Sequence, residues 1–596
     1  MQLFTEIFAQ TGIFWALTAI LLKLNKIIRA KRGALISMVN LSDHLIILSI
    51  SLLFIILTQA FNYSFFIYPL AALLTVYGFL LWLDALLFVQ YRLEVNRQTI
   101  SWFFTGSKGI SKGIPHLFSL GNRDPWLFVV PFLWFGLVLM QTLSPHFLSS
   151  FLSSEWHSVA GGITMFAGAT VVITHQMKRY FSLKHPFFSS VSLLGKIFHC
   201  DHFEGDESIL LKPEHQSLIA PESVEREPTK SFGQCKNANV ILITMESLGN
   251  YLKSSTADGI KSQIAKRFGE NSWTSKQHFC LCPNTTVATN QIYTGGYSNN
   301  PYNRKDSLYP GSEPLHIKHL KANGYTTLFL DSADIGLYDY HKLLTRIGFD
   351  HVWGTKDIPE QGLEADYRLW NMVDEIASKV NDSPFFLHLI NDQTHMPYKV
   401  VDTKRFSRHK GSSDKATYLN AAEEVDFIFD TFLNRLADKV DLSNTILIFT
   451  GDHGESFGEY GYNFHSNSII FPQVQVPFML THPALRSMDI AHSSHFDIFP
   501  TLFDLLGISF DYPCLGKSML DESREFAYFF HSATLKGNTP ANFGVLYDEG
   551  LFWVDRLFNQ VRHVQGNYKS KNLVGKKRDY YCYLLQRMLK VRGLMK

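Results

Sequence analysis

An excess of either charge is missing from this chain: 55 lysines and arginines face 53 acidic residues, for a formal net charge of +2. That balance gives no case for general nucleic-acid binding, which draws on a basic surplus to neutralise phosphates. Cysteine is sparse, with 6 in 596 residues. Cys200, Cys235, Cys280, Cys282, Cys514 and Cys582 permit disulfides in an oxidising compartment and serve equally well as free thiols, so they do not fix the compartment. There are no internal repeats. The first ten residues, Met1 to Gln10, lack a basic segment and no small-residue cleavage site comes after them, so the first apolar run is not expected to be a cleavable signal peptide.

Apolar residues are plentiful, at 46% with 49 Phe, and their excess lies in the first 180 positions. Runs near 11–28, 45–62, 66–90, 126–145 and 158–175 each approach or exceed the ~18–20 residues that cross a bilayer core as a helix. Ile46 to Phe61 carries no charge, and Phe65 to Gln90 carries only Asp84. Five such runs in succession predict a helical membrane domain of about five spans over residues 1–180, rather than buried helices of a soluble protein. Lys23, Lys26, Arg29, Lys31 and Arg32 lie after the first run, and Lys178, Arg179 and Lys184 after the fifth. By the positive-inside rule these two basic segments, and the chain beyond the fifth run, would lie in the cytoplasm. The loop from Tyr91 to Pro125 mixes aromatic and basic residues suited to a membrane surface.

Residues 181–236 read as a polar connector with an amphipathic stretch near Phe187 to Phe198. A soluble domain, 237–530, then begins at Ala238-Asn-Val-Ile-Leu-Ile-Thr-Met-Glu-Ser247. Strand-like runs (TTLFLDSAD, PFFLHLIND, TILIFTGDH) alternate with helical patterns (LHIKHLKANGY, EADYRLWNMVDEIASKV, YLNAAEEVDFIFDTFLNRLADKV). This alternation predicts an α/β fold with a mostly parallel sheet covered by helices. Residues 531–596 form a further C-terminal subdomain. Its stretch from Tyr568 to Lys596 holds nine basic residues against Asp579 alone; it reads as a solvated tail, with contact to anionic lipid as the alternative.

Glu246, Asp392 and Asp452 each stand just after an apolar strand run, and His395 and His453 nearly do. One carboxylate at a strand end is commonly a helix cap. Acidic and imidazole groups gathered at the carboxyl ends of neighbouring strands would instead make a metal-binding crevice. The segment Cys280-Leu-Cys-Pro-Asn-Thr-Thr-Val-Ala-Thr-Asn-Gln-Ile-Tyr-Thr-Gly-Gly296 places a Thr hydroxyl at a helix N-terminus. There the helix dipole and free N–H groups favour an anion such as phosphate, and metal coordination makes the hydroxyl a competent nucleophile.

Met245-Glu246-Ser247, the segment from Thr285 to Thr294-Gly295, His395, Gly451-Asp452-His453-Gly454-Glu455 and His495-Phe-Asp-Ile-Phe-Pro-Thr501 together resemble the alkaline phosphatase superfamily. More narrowly, they are similar to its sulfatase-like branch of membrane transferases, which includes lipoteichoic acid synthases and lipid A phosphoethanolamine transferases. The resemblance implies that Glu246, Thr285, Asp452 and His453 bind one divalent metal ion, zinc or manganese. A second ion is left open. Thr285 is implied as the nucleophile by its distance from Thr294-Gly295, and His395 and His465 face the phosphate or a second metal, one of them protonating the leaving group. Gly458 and Gly461 would let the loop turn His465 back towards the phosphate. Asn290, Asp331, Tyr338 and Arg346 are further substrate-contact candidates by position, with Arg346 reading better as a surface helix residue.

True sulfatases carry Pro two and Arg four residues after a Cys or Ser that becomes formylglycine. Here Val287 and Thr289 stand at those positions from Thr285, and Asn284 and Thr286 at those from Cys282, so sulfate hydrolysis by that route is not expected. What the resemblance implies is an enzyme of the inner (plasma) membrane, multi-pass, with its catalytic domain periplasmic or extracellular. That orientation is at odds with the loop charges. It would move a phosphoethanolamine or phosphoglycerol headgroup from a phospholipid donor to an envelope glycan or lipid acceptor. The rival readings are a phosphodiesterase or phosphatase on the same site, and a non-catalytic membrane sensor.

Overall fold

A computed structural model describes residues 208–594 apart from 220–226, 253–258, 270, 299–312, 381–383, 534–538, 556–559 and 566–568, and, nearer the N-terminus, residues 80, 82–84 and 95. Those few positions aside, the five expected spans, the loop 91–125 and the amphipathic stretch 187–198 lie outside the described residues. Among the described residues no helix is long and apolar enough to cross a membrane. Asp84, the one charge of the third apolar run, is buried and accepts a hydrogen bond from the Val95 N–H at 2.8 Å. The chain divides into two compact units, Met1–Glu204 with Leu557–Asn559, and Gly205–Arg556 with Gln560–Lys596.

The second unit is built on an eight-stranded sheet. Its strands are β1 (Asn239–Met245), β2 (Ser272–Ser275), β3 (Thr326–Asp331), β4 (His351–Trp353), β5 (Phe385–Ile390), β6 (Thr445–Gly451), β7 (Phe478–Thr481) and β8 (Met488–Ile490), in spatial order β8-β2-β7-β6-β1-β5-β3-β4. The block β6-β1-β5-β3-β4 is parallel throughout, whereas β7 runs antiparallel to both β6 and β2. The mostly parallel α/β sheet expected from the alternating pattern is therefore present. The three strands β2, β7 and β8 are short and carry no long apolar run, which is why periodicity alone passes over them.

β1 shows why the central strands read as continuous apolar runs. Leu242 joins one core, with Tyr293, Leu320, Leu343 and Phe499; its neighbours Ile241 and Ile243 join the opposite core, with Ile376, Val425 and Phe429. Both faces are covered, so alternation has no solvent side to show. The first face is closed by α1 (Thr285–Thr294), α2 (His316–Ala322), α3 (Tyr340–Ile347) and a later helix, Ile498–Leu506; the second by α4 (Val373–Lys379) and α5 (Asp414–Ala437). The EADYRLWNMVDEIASKV stretch is not one α-helix: Ala365–Met372 is a 3-10 turn that leads into α4, and Ala365 itself has φ of +51°.

Calling Ile498–Leu506 α6, the C-terminal part continues as an antiparallel meander of β9 (Tyr528–His531), β10 (Asn542–Tyr547), β11 (Gly550–Asp555), β12 (Gln560–Gln565) and β13 (Lys569–Asn572), then α7 (Gly575–Val591). The basic stretch is not a solvated tail. Leu584, Leu585, Met588 and Leu589 recur at helical spacing between the cations and are fully buried. Arg592 is buried too, donating to the Ile219 carbonyl at 2.8 Å with its guanidinium 4.7 Å from the Phe529 ring centre. Cys235, Cys280, Cys282, Cys514 and Cys582 are free thiols, and Cys200 lies outside the described residues.

Candidate active site and metal centre

The site grows from the carboxyl ends of three adjacent parallel strands. β1 and β6 pair with Met245 opposite Gly451, so the next residues, Glu246 and Asp452, emerge side by side. Thr244 pairs with Ile390 on the other flank, which brings Asn391 beside them. Asn391 Oδ1 accepts from the Glu246 N–H at 2.9 Å, and Asp452 Oδ1 accepts from the Ser247 N–H at 2.8 Å and the His453 N–H at 2.7 Å. Glycines permit the close approach: a Cβ on Gly451 would lie 2.1 Å from the Leu248 carbonyl oxygen, and one on Gly454 the same distance from that of Pro472.

Thr285 enters from α1. Asn284 caps the helix, its side chain accepting from the Val287 N–H at 3.3 Å, which fixes Thr285 in the first turn. The Thr285 hydroxyl donates to Glu246 Oε2 at 3.0 Å and lies 3.2 Å from His453 Nε2. His453 Nε2 is in turn 3.3 Å from Asp452 Oδ2 and 3.6 Å from Glu246 Oε1.

Protonation sharpens this geometry. Burial pushes the His453 imidazole down to about 3, with help from nearby His465, so its ring is neutral at physiological pH. Its Nδ1 lies 3.1 Å from the Gly454 carbonyl, which can only accept, so the single ring proton belongs on Nδ1. The Nε2 lone pair therefore faces oxygens of Thr285, Glu246 and Asp452. Asp452 Oδ2 is buried and accepts no hydrogen bond. Burial and the neighbouring Glu246 push the Asp452 carboxyl well above its usual range. Burial opposes ionisation of Glu246 as well, but facing His453, His395 and His465 hold its carboxyl down to about 2. Converging lone pairs of this kind, on nitrogen and oxygen donors, are what a divalent ion would satisfy. Donor atoms of Glu246, His453 and His465 all lie within 4.8 Å of one another.

His465 thus comes back to the centre. Its ring lies 4.3 Å from that of His453, and its Nδ1 is 3.2 Å from Glu455 Oε2. Burial disfavours the charged imidazole, but the Glu455 carboxylate outweighs it and raises the His465 pKa above the ordinary value. His395 stands further out, exposed, its ring edge-on to His465 at 5.6 Å. Asp392, beside it, is exposed and outside the donor set.

The further candidates divide. Asp331 closes β3 with its carboxylate almost fully buried; the Ala333 N–H donates to Oδ1 at 2.8 Å, and no Lys or Arg pairs with it among the described residues. Burial pushes its carboxyl well above the usual range, and the like charges of Asp392, Glu246 and Asp366 add to this. Asn290 is fully buried, and neither atom of its amide has a hydrogen-bond partner. Arg346 is not a surface residue: its side chain is 5% exposed and faces Glu313 at 3.5 Å, because α3 turns that side inward with Leu343 and Ile347. The Tyr338 side chain lies outside the described residues. Sequence reasoning quoted Glu455 in a motif without giving it a task, and passed over Asn391 and Thr394, whose hydroxyl donates to the Glu246 carbonyl at 2.6 Å. Asn391 comes directly after β5, the same signal that marked Glu246.

Residues 238–508 match the sulfatase family. That stretch is a sulfatase-family domain. It bears out the likeness to the sulfatase-like branch of the alkaline phosphatase superfamily. Among curated relatives, a lipoteichoic acid synthase from Staphylococcus saprophyticus is 22% identical over 335 residues, covering 50% of each chain. An arylsulfatase K from Canis lupus familiaris is 27% identical over 140 residues, covering 23% of this chain and 26% of that one. The chain thus spans about half the length of the lipoteichoic acid synthases it matches. The crystal structure of the lipoteichoic acid synthase LtaP from Listeria monocytogenes superposes with a TM-score of 0.48 at 18% identity, covering 64% of this chain and 96% of that one.

Proposed function

We infer that this sulfatase-like enzyme is a membrane-bound, metal-dependent transferase that moves a phospholipid headgroup, phosphoglycerol or phosphoethanolamine, onto a hydroxyl of an envelope glycan or lipid. The observation that carries the reading is the Thr285 hydroxyl at the N-terminus of α1, 3.0 Å from Glu246 and 3.2 Å from His453. In this reading Glu246, Asp452, His453 and Thr285 hold a divalent ion, which when bound lowers the pKa of the Thr285 hydroxyl and offsets charge on the phosphoryl oxygens.

The chemistry is two in-line displacements. The Thr285 oxygen forms a bond to phosphorus as the bond from phosphorus to the diacylglycerol oxygen breaks, and the departing alkoxide takes a proton from His395 or His465. An acceptor hydroxyl, deprotonated by the same imidazole, then attacks phosphorus and releases Thr285. The free N–H groups of the first turn of α1 stabilise charge on the phosphoryl oxygens throughout. His465 suits the proton-donating task because Glu455 favours its charged form. The expected anchoring in the inner membrane would hold the donor lipid beside this crevice, with the catalytic domain outside.

Mass spectrometry of Thr285 in protein incubated with phosphatidylglycerol or phosphatidylethanolamine tests the reading. An adduct of phosphoglycerol or phosphoethanolamine mass that disappears in Thr285→Ala is expected. Free headgroup phosphate with no modified acceptor would instead indicate hydrolysis, and full activity in Thr285→Ala would end the nucleophile assignment.

A further inference from the structure

His465 is held in an unusual stretch of backbone. Phe464 and Ser466, its two neighbours, both have positive φ, +62° and +68°. Non-glycine residues in the left-handed region cost energy and persist only where the surroundings over-determine them. Part of the hold is local: Ser456 Oγ donates to the Phe464 carbonyl at 2.6 Å, and Ser466 Oγ donates to the Pro283 carbonyl at 3.1 Å, next to the cap of α1.

The rest comes from the C-terminal sheet. Asn542 on β10 and Asp555 on β11 face each other across the ladder, and together they grip both shoulders of the His465 loop. Asp555 Oδ1 accepts from the Tyr462 hydroxyl at 2.7 Å, three residues before His465. Asn542 Nδ2 donates to the Asn467 carbonyl at 2.8 Å, two residues after it, and to the Tyr462 oxygen at 3.3 Å. The Ala533 N–H, just past β9, donates to the Ser466 carbonyl at 3.1 Å. Tyr462, Asn542 and Asp555 are each 0% exposed. A buried carboxylate needs a counter-charge, and Arg562 on β12 supplies it at 2.8 Å while its guanidinium lies 4.8 Å from the Trp553 ring centre. The bonds of Asn542 and Asp555 end on Tyr462 and Asn467, while the Ser466 hydroxyl separately accepts from Asn284 Nδ2 at 3.1 Å, next to Thr285.

We propose that Asp555 and Tyr462, braced by Asn542, form a positioning device through which the C-terminal sheet sets the place of His465 at the active site. The proposal rests on the reading that His465 acts at the Thr285 phosphoryl centre. Its logic is geometric: Tyr462 and Asn467 are pinned on either side of a residue whose flanking backbone would relax if released. A shift of about an ångström in a proton-handling group costs on the order of 100-fold in rate, so the sheet bears on catalysis without contacting substrate.

A double-mutant cycle on the full-length protein in detergent tests this, with diacylglycerol release from fluorescent phosphatidylglycerol and phosphatidylethanolamine as the readout. Tyr462→Phe keeps the ring and deletes the hydroxyl, and is expected to lower kcat by about 10- to 100-fold with KM little changed. In a His465→Gln background the same change should have almost no further effect, because both act through one group. Carbethoxylation of His465 by diethyl pyrocarbonate, read by mass spectrometry, should be faster in Tyr462→Phe while that of His395 is unchanged. Asn542→Ser, which frees the other shoulder, should reproduce the kcat loss if Tyr462→Phe proves too poorly folded to assay. Full activity in folded Tyr462→Phe, or an equal loss with and without His465, would overturn the proposal while leaving the role of His465 standing. An inert His465→Gln would remove that role and the proposal with it.

Discussion

Asp452 Oδ2 and His453 Nε2 face each other at 3.3 Å, and the imidazole offers no hydrogen to the carboxylate, since the His453 proton lies on Nδ1 against the Gly454 carbonyl. In metal-free protein the ionised Asp452 opposes folding, because its buried carboxylate forfeits hydration beside Glu246, which is what pushes its carboxyl well above the usual range. Asp452→Asn should therefore be at least as stable as the wild type in the presence of chelator. On adding zinc or manganese the order should invert. The wild type gains about 2.7 kcal/mol at a metal concentration of 100 Kd, and the variant gains far less. Scanning calorimetry with chelator and with metal, together with elemental analysis, reads both signs; a variant that binds metal as tightly as the wild type would remove Asp452 from the donor set.

Asp331 should govern which headgroup is accepted. Its carboxylate is nearly buried at the end of β3 and lacks a cationic partner among the described residues, and Asp392, Glu246 and Asp366 are close enough to repel its charge. These influences hold the Asp331 carboxyl towards its neutral form, and an ammonium group arriving beside it would restore its charge. Asp331→Asn is expected to lower kcat/KM for phosphatidylethanolamine about tenfold or more, the worth of a hydrogen bond to a charged group, with a smaller effect on phosphatidylglycerol. Parallel assays of the two donors check this, and an equal loss with both would make Asp331 a structural residue.

How far the sequence carried the site depends on where each residue sits. Glu246, Asp452 and His453 were legible because each comes after a doubly buried strand, and a run such as Val240–Thr244 ending in a carboxylate is visible without any partner in view. Thr285 was legible through the Pro-Asn turn before it. Arg346 was misread because one helix in isolation does not say which side faces in; Glu313, which it meets, is 33 positions earlier. The grip of Asp555 on Tyr462 spans 93 positions, and no local pattern encodes a contact of that range. The basic tail misled for a similar reason, since its leucines are spaced for a helix whose partner sheet was itself unread.

His388 predicts how stability responds to pH. It is fully buried between Thr244 and Tyr293, with its ring nitrogens 2.8 and 2.6 Å from their hydroxyls. Burial, assisted by the neighbouring His495, pushes it down to about 3 from an ordinary 6.5. Between those values the unfolded chain binds a proton that the folded protein refuses. The contribution of His388 to stability is therefore intact above pH 6.5 and is lost as pH falls towards 3. One such group gives a slope of about 1.4 kcal/mol per pH unit. His388→Gln is expected to be less stable at pH 7.5 because it loses two buried hydrogen bonds. Its stability should also fall less steeply below pH 6.5 than that of the wild type, by roughly that slope, in urea titrations at a series of pH values. Parallel curves for the two proteins would show that His388 is not held neutral.

Gly454 should prove irreplaceable for a reason unrelated to chemistry. It comes directly after His453, and its Cα packs so closely on the loop after β1 that an added Cβ would lie 2.1 Å from the Pro472 carbonyl oxygen and 3.0 Å from the Gly249 Cα. Both obstacles are backbone, and neither can swing aside as the end of a side chain would. The Gly454 N–H also donates to the Gln473 carbonyl at 2.8 Å, so the segment cannot simply retreat without losing that bond. Gly454→Ala is expected to cost on the order of 1–3 kcal/mol of stability, the usual toll of overpacking, and to move His453 relative to Glu246 and Thr285. Loss of metal affinity should accompany the loss of stability, whereas Gly458→Ala, whose added Cβ would meet only the end of the Asn463 side chain at 3.7 Å, should be strained by its positive φ yet keep the metal. Denaturant titration and metal-binding calorimetry on the two variants separate these outcomes, and a Gly454→Ala protein that binds metal like the wild type would show that the strand end tolerates more movement than its packing implies.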